Sequence, residues 1–413
     1  MSRSPAPPDD PRREPAAGRA WAPDPAVVER FEAWRPDCTF REEGVPVYEL
    51  PDPLAGVGPA GWEQRREELM EAFRSRVYGR RPAGLPAARF EVLEERADAL
   101  GGAAVLRRVR AVFERDGRSF GFPFEVATPA ESAGGGGGAV VTIDYREEGS
   151  RGAAEAGGDG YWPVRRILER GYVAAAFSAP AADPDRPDGH ADGIRGFLAT
   201  GVPPAPPEAD AWRTLSAWGW AAGVVADFLL ESGGVDPARL AVAGHSRAGK
   251  AALWAAAEDT RFDAAFANES GCGGAALSRR RFGETIGAIT SQFPHWFTPA
   301  FAGYEGREGE LPVDQHTLLA LLAPRGVYVS SATEDLWADP RGEYLSLVHA
   351  APVFERLGVE AVNDPEPPPP GVSRLRGATG YHLRPGEHDL TEEDWRHFLG
   401  FLDARWGGAS SPS

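Results

Sequence analysis

Residues 240–254 read Leu240-Ala-Val-Ala-Gly-His-Ser-Arg-Ala-Gly-Lys-Ala-Ala-Leu-Trp254, an apolar β-type run that passes through Ser246 into a helix-forming one. Small residues stand two before the serine (Gly244) and two after it (Ala248), as a sharp strand-to-helix turn requires. Larger side chains there would collide with neighbouring backbone. Such a turn pushes the Ser246 hydroxyl out at the end of a sheet, beside the positive end of a helix. The stretch therefore predicts an exposed nucleophilic serine on an α/β scaffold.

The sequence on either side fits that scaffold. Upstream, Ala139-Val-Val-Thr-Ile143 and Tyr172-Val-Ala-Ala-Ala-Phe177 read as buried strands, with a short helix at Val164–Arg170 between them. A long helix is expected over Ala211–Glu231, just before the strand at Leu240–Ala243. Downstream, Ala265–Ala267, Val327–Ser330 and Tyr381–Leu383 read as strands, and Glu343–Leu357 and Glu392–Arg405 as helices. Strands alternating with helices predict a mostly parallel sheet covered on both faces. Nearer the N-terminus, Trp62, Leu69, Met70, Phe73 and Val77 share helical spacing, and residues 88–128 alternate as antiparallel strands. The fold class expected is α/β, a three-layer α/β-hydrolase sandwich with antiparallel N-terminal strands. Residues 1–24 are expected to be a disordered tail, 25–405 a single catalytic domain and 406–413 a flexible end. Gly134–Gly138 is expected to be a flexible loop.

Composition narrows the partners. The formal net charge of −17 repels nucleic acid and anionic lipid, so neither is an expected partner. No apolar run approaches the ~20 residues needed to cross a bilayer, and the polar, proline-rich start lacks a secretory pattern, so a cytoplasmic location and a monomer are expected. Cys38 and Cys272 stand far apart without metal-ligand spacing, which argues against a disulfide framework and a zinc site. No metal or cofactor is expected.

A serine at neutral pH needs a base, and the base needs an acid to orient it. In α/β-hydrolases the chain order is nucleophile, acid, histidine. His388, in a loop after the last strand and before the final helix, fits the base; His382 and His397 fall inside elements and are read as packing or surface residues. Two acids follow strands: Glu269 after the next one, and Asp335 after the one beyond, which ordinary hydrolase topology favours. The backbone N–H of Arg247 would serve the oxyanion, with its guanidinium either supplementing it or paired to a carboxylate. Lys250 shares the serine's face of the helix, free to bind sugar hydroxyls or to pair with an acid.

These residues resemble carbohydrate esterase family 15, the glucuronoyl esterases. Gly244-His-Ser-Arg-Ala-Gly-Lys250 is similar to that family's signature, and the likeness runs on through Asn268-Glu-Ser-Gly-Cys-Gly-Gly-Ala275, Leu311–His316, Ala323–Val329 and Trp337-Ala-Asp-Pro340. The resemblance implies Glu269 as the triad acid, with Asp335 as the alternative. It also implies sugar recognition by Lys250, Glu284 and Trp337. It implies a serine esterase acting on esters of (4-O-methyl)glucuronic acid through a Ser-His-Glu triad, with a carbohydrate ester as partner. An acetyl xylan esterase or other small carbohydrate-ester hydrolase is the alternative, and a non-catalytic carbohydrate-binding relative the remaining one.

Overall fold

The computed structural model describes residues 21–58, 61–130, 137–147, 149–199 and 209–407. Ten strands form one sheet: β1 (Arg89–Asp98), β2 (Ala104–Arg115), β3 (Arg118–Pro129), β4 (Gly137–Asp144), β5 (Val173–Ser178), β6 (Val235–His245), β7 (Phe262–Asn268), β8 (Gly326–Ala332), β9 (Ser373–Arg376) and β10 (Thr379–Arg384). Their spatial order is β1-β2-β3-β5-β4-β6-β7-β8-β10-β9. From β5 to β10 the strands run parallel. The first three form an antiparallel meander that joins β5 antiparallel, and β9 closes the far edge as a short antiparallel strand.

Burial explains the strand sequences. All of β5, β8 and β10 is buried, and so is nearly all of β4 and β7. Helices cover both faces, so these strands carry continuous Ala, Val, Ile and Phe rather than alternation. On one face the long helix Thr214–Glu231 packs beside the helix Arg247–Glu258. Gly219 permits that approach, since a Cβ there would meet Ala251 O and Ala255 Cα, each at 3.3 Å. On the other face the C-terminal helix Glu392–Trp406 lays Phe398 over Phe266, with ring centroids 4.5 Å apart.

The fold is the expected α/β-hydrolase sandwich, with several differences of extent. The long helix begins at Thr214 and not at Ala211, and Trp212 precedes it. Gly137 and Gly138, expected in a glycine loop, begin β4; residues 134–136 lie outside the described residues. Trp406, expected in a flexible end, is the buried last residue of its helix, while 408–413 lie outside the described residues. Of the expected disordered tail, residues 1–20 likewise lie outside them. A helix at Pro25–Trp34, capped by the Asp24 side chain, was not expected. It is held by a small cluster of Val27, Val28, Phe40, Phe282 and Leu336. No helix among the described residues is long and apolar enough to cross a membrane.

Candidate active site

Ser246 sits between the end of β6 and the helix Arg247–Glu258 with φ 55° and ψ −124°, a conformation an L-residue adopts only under constraint. Two features impose it. The Ser246 N–H donates to Asn268 O of β7 at 2.9 Å, and a Cβ on Gly244 would lie 2.2 Å from Ala248 O. The small residues on either side of the serine are thus required by backbone contact. Ser246 caps the helix, whose first N–H groups have no intrahelical acceptor and point toward the serine's end.

Three further turns converge on this point, each at the carboxyl end of a parallel strand. Glu269 follows β7 with φ 46°, and its N–H donates to Ser330 O at 2.7 Å. Asp335 follows β8, and His388 lies in the loop between β10 and the C-terminal helix. His388 Nδ1 meets Asp335 Oδ2 at 2.6 Å and Glu269 Oε2 at 3.0 Å. Both sequence candidates for the acid therefore reach the same ring nitrogen. Burial would lower the proton affinity of His388, but hydrogen bonds and charge from Asp335 and Glu269 outweigh it and raise its pKa. Burial raises that of Glu269, against the opposing pull of His388 and of Arg384. Ser246, His388, Glu269 and Asp335 line one cavity of about 420 Å³ together with Arg247, Lys250, Glu284 and Trp337.

The Arg247 guanidinium is held firmly. It donates to Asp185 at 2.5 Å and lies over the Tyr145, Phe293 and Trp296 rings at 5.3, 5.1 and 4.9 Å. Asp185 also accepts from His295 Nε2 at 2.8 Å and from Trp296 Nε1 at 2.7 Å. Burial would raise the Asp185 pKa, yet these three donors bring it below the ordinary carboxylate value. The carboxylate pairing considered for Arg247 is present, and it fixes the cation beside the serine.

At 35% identity over 94% of this chain and 96% of its own length, a carbohydrate esterase from an unidentified prokaryote is similar throughout. The chain belongs to carbohydrate esterase family 15, the glucuronoyl esterases. The family model described as glucuronyl esterase, fungi, matches residues 208–358, which include the serine turn and both acids. A solved glucuronoyl esterase from Solibacter usitatus, 34% identical, superposes with a TM-score of 0.81 over 89% of this chain and all of that one. A Sporotrichum thermophile glucuronoyl esterase mutant, solved with methyl 4-O-methyl-β-D-glucopyranuronate, shares the fold at a TM-score of 0.62 and 21% identity, covering 91% of this chain and 93% of its own.

In this esterase Lys250 is buried, and its ammonium donates to Ser270 O at 2.6 Å and Cys272 O at 2.7 Å, with Glu284 at 3.4 Å. Burial raises the Glu284 pKa, with Lys250 and the Trp337 side chain opposing. Cys272 is thus a buried free cysteine whose backbone carbonyl accepts from Lys250. Trp337 forms a wall together with residues that sequence reasoning missed, Phe31 and Trp34 of the N-terminal helix. The Trp34 and Trp337 rings meet edge-on at 4.9 Å. Asp185, Arg384 and Glu343 were missed too. Glu343 accepts from Ser331 Oγ at 2.6 Å, Gly271 N–H at 2.9 Å and Ser270 Oγ at 3.0 Å, which ties the turn after β7 to the end of β8. No spacing in the chain links these residues to the serine. One group among the described residues, His245, Glu269 and His388, is close enough to hold a metal ion, but Glu269 and His388 already meet each other there.

Proposed function

We propose that the chain is a serine esterase that cleaves esters of (4-O-methyl)glucuronic acid carried on a xylan-type polymer. Ser246 Oγ attacks the C6 carbonyl while His388 Nε2 takes its proton. The negative charge developing on the carbonyl oxygen is met by the backbone N–H of Arg247 and by its anchored guanidinium. His388 then gives the proton to the leaving alcohol, and water, activated by the same imidazole, releases the uronic acid from the acyl-enzyme. Asp335 is the principal acceptor of the His388 Nδ1–H, and Glu269, the acid implied by the sequence resemblance, supports it from the other side. Lys250, Glu284 and Trp337 recognise the sugar; with Lys250 and Glu284 already paired, they offer it a fixed polar floor beside an aromatic wall. The reaction needs no metal or cofactor, and the chain acts as a monomer.

One observation carries this reading: His388 shares a cavity with a strained serine and two carboxylates on one ring nitrogen. Initial rates on a benzyl ester of methyl glucuronate and on acetylated xylan, measured side by side, test it. The glucuronate ester should be hydrolysed with the higher kcat/KM. Faster release of acetate would replace the substrate assignment with a deacetylase, and sugar binding without turnover of either ester would make the chain a binding protein.

A further inference from the structure

Arg384 ends β10 with its side chain 7% exposed, and its guanidinium reaches both the acids and the histidine loop. One edge donates to Glu269 Oε1 at 2.8 Å and another to Asp394 Oδ2 at 3.1 Å. Nη1 holds the carbonyl of Pro385 (3.0 Å), and Nη2, which also serves Glu269, shares its N–H groups with the carbonyls of Glu387 (2.7 Å) and Asp389 (3.1 Å); the three carbonyls bracket His388. Asp394 is itself fixed by Thr391 N–H at 2.8 Å and by His382 Nε2 at 2.8 Å, and His382 Nδ1 faces Tyr328 OH at 3.0 Å. A planar guanidinium with five donors suits such a junction, whereas a lysine provides one point charge.

We propose that Arg384 is a positioning residue that aims Glu269 at His388 and favours its charged form, so that a second carboxylate besides Asp335 faces the His388 imidazole. This rests on the serine-esterase reading above. Around His388 stand Glu269 from the turn after β7, Asp335 from the turn after β8 and His245 from the end of β6, whose ring centroid lies 4.5 Å away. His245 adds no charge, since burial, and next the nearby His388, lower its pKa to about 3. Arg384 is faced by Glu269, by Asp394 from the C-terminal helix and by Asp389 from the loop. Glu387 and Glu334 turn outward to Arg30. The Glu269 side chain is wholly buried, and burial drives its pKa up to about 8; after His388, the guanidinium bonded to Oε1 opposes that rise, from the side away from the imidazole. Without it the proton affinity of Glu269 climbs further, negative charge beside His388 is lost, and the imidazole becomes less basic.

His388 must be unprotonated to accept the serine's proton, so the acid limb of the rate profile marks its protonation. Loss of a neighbouring carboxylate charge moves that limb to lower pH, by about one unit for a contact of this kind. The test is the pH dependence of Ser246 phosphonylation by a fluorophosphonate, a readout independent of the ester substrate. It is measured on the whole protein and on Glu269→Gln, Arg384→Gln, Arg384→Lys and the Glu269→Gln/Arg384→Gln double variant. Glu269→Gln and Arg384→Gln should share the same lowered limb, the double variant should coincide with them, and Arg384→Lys, which keeps the charge, should retain the wild-type limb at a reduced rate. A wild-type limb in Arg384→Gln with only a lower rate would make the arginine a loop anchor and overturn the proposal, as would an upward shift or additive effects in the double variant. Should Arg384→Gln not fold, the near-isosteric Glu269→Gln decides alone: an unmoved limb means that Glu269 carries no charge in the wild type. Failure of wild-type Ser246 to label would refute the serine-esterase reading and this proposal with it. Labelling without glucuronate hydrolysis would refute only the substrate.

Discussion

Asp335 and Glu269 divide the orientation of His388 unequally. Asp335 lies closer, at 2.6 Å, while Glu269 at 3.0 Å also accepts from Arg384 and from the Asp389 N–H. Asp335→Asn should therefore lower kcat more than Glu269→Gln, by about a hundredfold against about tenfold, and both stay milder than loss of the nucleophile. Equal losses, or a greater one for Glu269→Gln, would restore Glu269 as the principal acid. Lys250 yields a different signature. It is bonded to two carbonyls and a carboxylate beneath the sugar wall, so Lys250→Met should raise KM for a glucuronate ester while rates with a short phenyl ester fall far less. Sequence reading found Ser246 because strain at the turn writes itself into Gly244 and Ala248, adjacent in the chain. It found His388 from chain order alone. Arg384, Asp185 and Glu343 left no local mark: each acquires its role through a partner far along the chain, Asp185 with Arg247 at 62 residues, Glu343 with Gly271 at 72 and Arg384 with Glu269 at 115.

At the level of elements, the turn at Ser246 depends on contact between β6 and the helix after it. Gly244→Ala would place a methyl 2.2 Å from Ala248 O, which the backbone relieves only by shifting the helix. Overpacking of this kind costs about 1–3 kcal/mol. The variant should unfold at a lower temperature in a calorimetric scan and label more slowly at Ser246; wild-type values for both would show that the turn tolerates a side chain. The N-terminal helix makes a contrasting case. Trp34 is 58% exposed, so Trp34→Ala should leave the melting temperature nearly unchanged while raising KM for glucuronate esters through loss of the wall on Trp337. That helix escaped the sequence reading because its apolar residues answer to Phe282, Leu336 and Trp337, about 250 residues downstream or more. Strand runs such as β4, β5 and β8 were legible for the opposite reason: burial on both faces makes them continuously apolar.

For the whole molecule, the fold places four chain-distant groups at the carboxyl ends of adjacent parallel strands, where open α/β sheets hold their ligands. The whole chain carries a formal net charge of −17. A polymer bearing free uronates should be repelled at low ionic strength and admitted as salt screens the field, whereas a neutral ester should respond little. Raising salt should accordingly lower KM for glucuronoxylan and leave KM for benzyl glucuronate flat; parallel responses would place the charge away from the substrate's path. The central claim is that Ser246 is the nucleophile of a glucuronate esterase, and it stands on one comparison. Hydrolysis of a benzyl glucuronate ester should fall at least about a thousandfold in Ser246→Ala with the melting temperature retained. Turnover of that ester at the wild-type rate by Ser246→Ala would contradict the account.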